Sequence, residues 1–218
     1  MKKANTYRIA SIGILSALSL VIIFAVPTFK IFPQVPFLEF DFADIPIFIA
    51  ALVYGPLTAL TITLVVCFVQ GITISAISGI MGILMHFVAT GSFVLVAGLI
   101  HKRFYSIKGA IAALAGGILT WNIVMVPFNI LITPIFLNMF YGMPKEAIYD
   151  YLVPFIIPFN LIKSSVNAVI TIILYRCLFG FFNKIAPQRS VKAKAENTDP
   201  DRQAVADNAT DNDPSIDK

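Results

Sequence analysis

Asn160, Lys163, Ser164 and Asn167 stand at i, i+3, i+4 and i+7 in a stretch that is otherwise apolar enough to cross a membrane. That spacing gathers all four on one helical face. A lysine at the bilayer centre costs about 2.5–3.5 kcal/mol on insertion scales, so it persists only with a partner or beside a wet cavity. The stripe offers hydrogen bonds and one positive charge, which suits a small-molecule site between helices. The competing reading is a lysine held by a neighbouring carbonyl as interhelical glue.

The preceding apolar segment carries Asn122 and Asn129, seven residues apart and again on one face. In antiparallel neighbours, Asn129 is expected level with Asn160 and Lys163, and Asn122 deeper, toward Asn167. Phe128, Tyr141, Phe155 and Phe159 are available as walls of the resulting slot. An apolar cavity with a few placed polar groups is the usual make-up of a ligand site. Asparagine bonds that only assemble helices, worth about 0.6 kcal/mol each, are the alternative.

Between Phe37 and Asp44, acids alternate with phenylalanines. The pattern predicts a lid with Phe toward the pocket and the carboxylates of Glu39 and Asp41 toward water or ligand hydroxyls. Asp44 suits a helix N-terminus as a cap. Gln70, Thr73, Ser75 and Ser78 are explained by an outer turn, and His86 by a satisfied place between helices. Cys67 and Cys177 read as small apolar residues. No Walker A, HExxH or GxSxG motif and no paired carboxylates on a membrane helix are present, so neither an enzyme nor a metal site is expected.

The elements that position these residues follow from composition. The 218 residues are 58% hydrophobic and 13% charged, with 19 Phe and 13 Pro, and mean hydropathy is +0.84. Soluble domains are nearer 25% charged. The apolar runs are continuous rather than alternating, which excludes a β-barrel. The reading is an all-α polytopic membrane protein with apolar segments near 8–26, 43–54, 57–74, 78–100, 109–132 and 154–180. The second is too short for the roughly 30 Å hydrocarbon core and reads as a partial span.

Basic residues precede the first helix (Lys2, Lys3, Arg8), join the fourth to the fifth (Lys102, Arg103, Lys108) and lie at or after the end of the sixth (Arg176, Lys184, Arg189, Lys192, Lys194). All fall on one side only with six passes and both termini cytoplasmic. The formal charge of +4 therefore reflects topology rather than nucleic-acid binding. Residues 1–186 form the membrane domain, and 187–218, polar and without aromatics, read as a disordered cytoplasmic tail.

Ala10, Gly13 and Ala17 give the first helix a small-residue face, with Gly13-Ile-Leu-Ser-Ala17 as a small-xxx-small motif. Such a face serves internal packing or an external partner equally well.

Taken in order, this motif, Asp41-Phe-Ala-Asp44-Ile-Pro46 leading to Tyr54-Gly55-Pro56, Pro127-Phe-Asn129, and Asn160-Leu-Ile-Lys163 with Asn167 resemble a family. It is the substrate-binding S components of energy-coupling factor (ECF) vitamin transporters, in particular the riboflavin-specific ones, and the resemblance spans roughly residues 8–185. It implies a protein of the bacterial plasma membrane that captures riboflavin as cargo, not as a cofactor. It also implies partners: a transmembrane coupling subunit, docked on Gly13 and Ala17 with Ala10, and two ATPase subunits. Family mechanism has the S component tip over in the membrane. The ligand contacts implied are Asn129, Asn160, Lys163 and Asn167, with Glu39 and Asp41 from the loop. Other vitamins (thiamin, biotin, a folate), a membrane scaffold and an intramembrane enzyme stand as alternatives.

Overall fold

Backbone polar groups in hydrocarbon must be satisfied within their own segment, so each apolar run closes as a helix. The computed structural model describes residues 2–185 apart from 36, 75–78, 145 and 147. It orders α1 (Lys2–Ala25), α2 (Asp44–Val53), α3 (Pro56–Ile72), α4 (Gly79–Arg103), α5 (Ile107–Tyr141), α6 (Ile148–Tyr151), a π-helical turn (Leu152–Ile156) and α7 (Ile157–Ile185). Gly79–Arg103, Ile107–Tyr141 and Ile148–Gly180 are long and apolar enough to cross a membrane; Ile9–Ala25, α2 and α3 are shorter apolar helices. The expected tail, Ser75 and Ser78 lie outside the described residues.

α2 is the hub of the packing. It has ten residues, all buried, and rises only about 15 Å. It packs against α1, α3, α4 and α7. Phe48 of α2 stacks on Phe93 of α4 with ring centroids 3.8 Å apart and planes 7° apart. A Cβ at Gly117 of α5 would stand 2.9 Å from the Phe93 ring, so only glycine lets α5 approach this stack. The turn into α3 runs through Gly55, whose φ of 92° lies in the region that favours glycine. Pro56 then opens α3 without losing a helical hydrogen bond.

α5 runs to Tyr141, nine residues past its expected end at 132, with Pro127 and Pro134 inside it. Membrane helices tolerate such prolines because neighbouring groups re-satisfy the freed carbonyls. Gly142, at φ 62°, ends the helix in the left-handed conformation. The expected outer loop 133–153 therefore shrinks, since α6 starts at Ile148. Pro154 falls within the π-helical turn, whose wider winding absorbs the missing N–H.

α1 turns Ser16, Ser19 and Ile23 inward and leaves Ala10, Gly13 and Ala17 exposed. Among the described residues nothing outside α1 lies within 4 Å of where a Gly13 Cβ would be.

The long loop after α1 is folded back on itself. Phe29 and Phe40 exchange both backbone hydrogen bonds at 2.8 Å. Val35, Leu38 and Phe40 then pack with Ile148, Leu152, Ile156 and Phe159 in an apolar cluster separate from the main core. The loop is thereby seated on the start of the last helix.

Candidate functional site

The C-terminal end of α3, the N-terminal end of α4, the C-terminal half of α5 and the N-terminal end of α7 meet at one end of the bundle. With the loop from Phe37 to Asp41 above them, they enclose a cavity of about 920 Å³ with its open mouth included. Asn129, Asn160, Lys163, Glu39 and Asp41 all border it. Asn167 does not; it lies beneath and donates from Nδ2 to the Asp41 carbonyl at 3.1 Å.

Lys163 is at the centre. Its Nζ donates to Asp41 Oδ2 at 2.9 Å and to the Glu39 carbonyl at 3.3 Å. Lysine and aspartate are 7% and 3% exposed, so the pair is buried. Asp41 Oδ1 also accepts the Ala43 amide at 3.1 Å. The aspartate is thus turned inward onto the lysine at the edge of the cavity rather than to water, one of the two directions the alternating pattern allows. The physical reason is the apolar cluster, which takes Phe40 and leaves Asp41 as the inward neighbour of α7. An ammonium has three N–H donors, and two are accounted for by these bonds.

The two amides are oriented but not exhausted. Asn129 Nδ2 donates to the Met125 carbonyl at 2.8 Å, and its Oδ1 accepts from Thr133 at 3.0 Å. Asn160 Nδ2 donates to the Ile156 carbonyl at 2.9 Å, and its Oδ1 accepts Trp121 Nε1–H at 2.8 Å. A primary amide has two N–H donors and two carbonyl lone pairs. Each therefore retains one donor and one acceptor beyond these bonds. The α5 residue bonded to Asn160 is Trp121, eight residues before Asn129. Asn122 reaches Ser164 at 3.4 Å, one turn before Asn167.

Phe159 borders the cavity as expected, joined by Phe37 and Phe136 with ring centroids 5.8 Å apart. Tyr141 and Phe155 pack on loop residues Phe37 and Phe32 rather than lining the space. Phe128 packs against the main core.

Three residues explained structurally from the sequence belong to this site. Gln70 is buried, borders the cavity and donates to Asp41 Oδ2 at 3.5 Å, so an outer turn does not account for it. Asp44 is the first residue of α2 but caps nothing with its side chain. Its Oδ1 instead meets His86 Nε2 at 3.1 Å and accepts from Thr90 at 2.8 Å. His86 also borders the cavity. Trp121 carried no polar pattern and was not anticipated. Of the cysteines, Cys67 is buried and Cys177 exposed. Among the described residues no cluster of three metal-ligating side chains occurs.

Comparison with known proteins bears on what this cavity holds. Residues 7–175 match the family described as ECF transporter, substrate-specific component. The riboflavin transporter RibU of Staphylococcus aureus (strain TCH60) is 29% identical over 180 residues, covering 82% of this chain and 93% of the relative. The riboflavin transporter FmnP of Bacillus subtilis (strain 168) is 30% identical over 149 residues, covering 66% and 78%. A solved chain, the S component of a bacterial ECF transporter, superposes with a TM-score of 0.67 at 31% identity. That likeness covers 81% of this chain and 98% of the solved one.

Proposed function

The chain belongs to the substrate-specific components of ECF transporters, and on that premise we propose that it captures riboflavin for uptake. The observation that carries this is the meeting of Asn129, Asn160 and Lys163 in one aromatic-walled cavity, in a chain whose relatives are named riboflavin transporters. Family and relatives are transporters and not enzymes, so the side chains are asked to bind, not to react. Riboflavin is cargo.

The chemistry fits. The isoalloxazine ring is flat and uncharged and suits the faces of Phe37, Phe136 and Phe159. Its pyrimidine edge alternates acceptors with one donor, which the remaining donor and acceptor of Asn129 or Asn160 match. The third N–H of Lys163 serves a carbonyl or hydroxyl. Glu39 and Asp41 act through the loop: the Glu39 carbonyl and the Asp41 carboxylate set the lysine's position. Asn167 supports the loop from below.

The membrane domain, residues 1–186, makes six passes with both termini cytoplasmic, supported by the one-sided basic residues. α2 serves as a partial pass inside the protein. The cavity then opens outward, and residues 187–218 form a cytoplasmic tail. The chain works in the bacterial plasma membrane with a transmembrane coupling subunit and two ATPase subunits. The outward small-residue face of α1, around Gly13, offers the close helix approach that such docking needs.

Titration of the detergent-purified chain with riboflavin tests the cargo. The expected result is quenching of flavin fluorescence that saturates at one ligand per chain. A folded protein that leaves riboflavin fluorescent throughout would overturn the assignment, and thiamin, biotin and folate would be titrated next.

A further inference from the structure

At the end of the bundle away from the cavity, α4 passes into α5 through Phe104, Tyr105 and Ser106. Lys102, Arg103 and Lys108 flank this turn, and Arg176 stands beside it on α7; all four are exposed. Among the described residues they take part in no ion pair. The described acids are Glu39, Asp41, Asp44, Glu146 and Asp150, in the first loop, at the start of α2 and beyond the far end of α5. Asp44 meets α4 at His86, and Lys102 follows about 24 Å further along that helix. Charges are screened beyond about 8–10 Å, so no described acid offsets the positive charge of this end.

The turn is held in one shape. Ser106 N–H donates to the Phe104 carbonyl at 2.9 Å, and Ser106 Oγ accepts the Gly109 amide at 2.9 Å as the cap of α5. A Cβ at Gly109 would collide with the Phe104 carbonyl oxygen, so the turn sits directly on the first turn of α5. Tyr105 points inward, its ring centroid 5.1 Å from that of His101 and 6.3 Å from that of Phe179. His101 is buried and its Nε2 meets the Tyr175 hydroxyl at 2.9 Å, which ties the end of α4 to α7.

With Tyr105 committed inward, Phe104 is left 61% exposed. It is a large apolar ring fixed outward among four cations, at the junction of two helices long enough to cross a membrane. That combination matches the membrane boundary, where a ring enters the acyl edge and ammonium and guanidinium groups meet phosphates.

We propose that this turn, with Arg176, is a docking surface for anionic phospholipid headgroups. Phe104 enters the edge of the acyl region, while Lys102, Arg103, Lys108 and Arg176 take the headgroup phosphates. His101 and Tyr175 are positioning residues: they seat Tyr105 and so keep Phe104 turned out. The surface fixes the depth of α4 and α5 in the membrane, whatever cargo the cavity takes.

The test titrates the full chain, in a neutral detergent, with phosphatidylglycerol or phosphatidylcholine and counts bound lipids by native mass spectrometry. Phosphatidylglycerol is expected to bind at least about tenfold tighter, since each cation near the headgroups contributes about fivefold. A variant carrying Lys102→Gln, Arg103→Gln, Lys108→Gln and Arg176→Gln should bring the two lipids within about twofold of each other. Lys30→Gln, an exposed cation in the first loop, should leave the preference intact. Phe104→Ser should weaken both lipids by a similar factor. Gel filtration checks folding, and should the fourfold variant not fold, Arg103→Gln alone is judged by a loss of about fivefold. No preference in the unmodified chain, or a preference that survives the fourfold variant, overturns the surface. Displacement of phosphatidylglycerol by an equal concentration of glycerol 3-phosphate would make it a site for free phosphate and overturn the lipid. A preference that appears only after the chain is ended at Lys194 would give the surface to the acid-rich segment from Glu196 to Asp217, with the same consequence. None of these readouts uses riboflavin, so failure of the cargo assignment leaves the result standing.

Discussion

Asp41 and Lys163 neutralise each other where neither is tolerable alone. Their 2.9 Å contact joins the first loop to α7 across 122 residues of chain. Removing one partner from a buried pair strands a charge and costs about 3–5 kcal/mol, whereas replacing both is often close to neutral. Lys163→Met alone is therefore expected to melt well below the unmodified chain in detergent. The double variant Asp41→Asn with Lys163→Met should recover most of that loss while still binding riboflavin poorly. Equal melting temperatures for the single and double variants would show that the pair is not energetically coupled. The lysine was legible in the sequence because its polar companions lie on its own helix at i−3, i+1 and i+4. Gln70 and His86 were not. Each has only threonines as polar companions on its own face, Thr63 for Gln70 and Thr90 for His86, and the acids that give it meaning lie 29 and 42 residues away.

At the scale of elements, the approach of α4 and α5 turns on one missing side chain. The absent Cβ of Gly117 leaves room for Phe93, which is itself pinned against Phe48. Gly117→Val adds atoms where the ring cannot retreat, and overpacking of this kind costs about 1–3 kcal/mol. The variant should melt lower, while Leu119→Ala, two residues away on the exposed surface, should leave the midpoint nearly unchanged. Matching midpoints would mean that α5 shifts freely. The six apolar helices were legible from apolar length, whereas short α6 lies inside a segment expected to be loop. Helix ends were less so, because proline is a dependable stop signal in water and a weaker one among membrane helices. That is why α5 outruns its expected end and why Pro154 sits inside a wide turn instead of a loop.

At the scale of the whole molecule, the proposed reading gives capture and delivery different faces. The cavity lies among α3, α4, α5, α7 and the loop, whereas Gly13 and Ala17 look outward from α1. Among the described residues nothing packs within 4 Å of a Cβ at Gly13, so in Gly13→Trp the riboflavin affinity of the isolated protein should stay within about twofold of the original. Uptake by cells carrying the coupling and ATPase subunits should fall to background, because a bulky ring prevents close helix approach. Normal uptake would place the docking surface elsewhere. Weakened binding in the isolated chain would mean that the two faces communicate.

α2 has a consequence for how the molecule is made. Every one of its ten residues ends up buried, and three of the four helices that cover it, α3, α4 and α7, are synthesised after it. A ribosome therefore delivers this segment to the membrane before its resting place exists. It is too short to span the bilayer and too apolar to stay in water, so it must wait beside α1 and α3. Its final seat forms only when the last helix emerges, and the closing act of biogenesis is the enclosure of the second helix by the last.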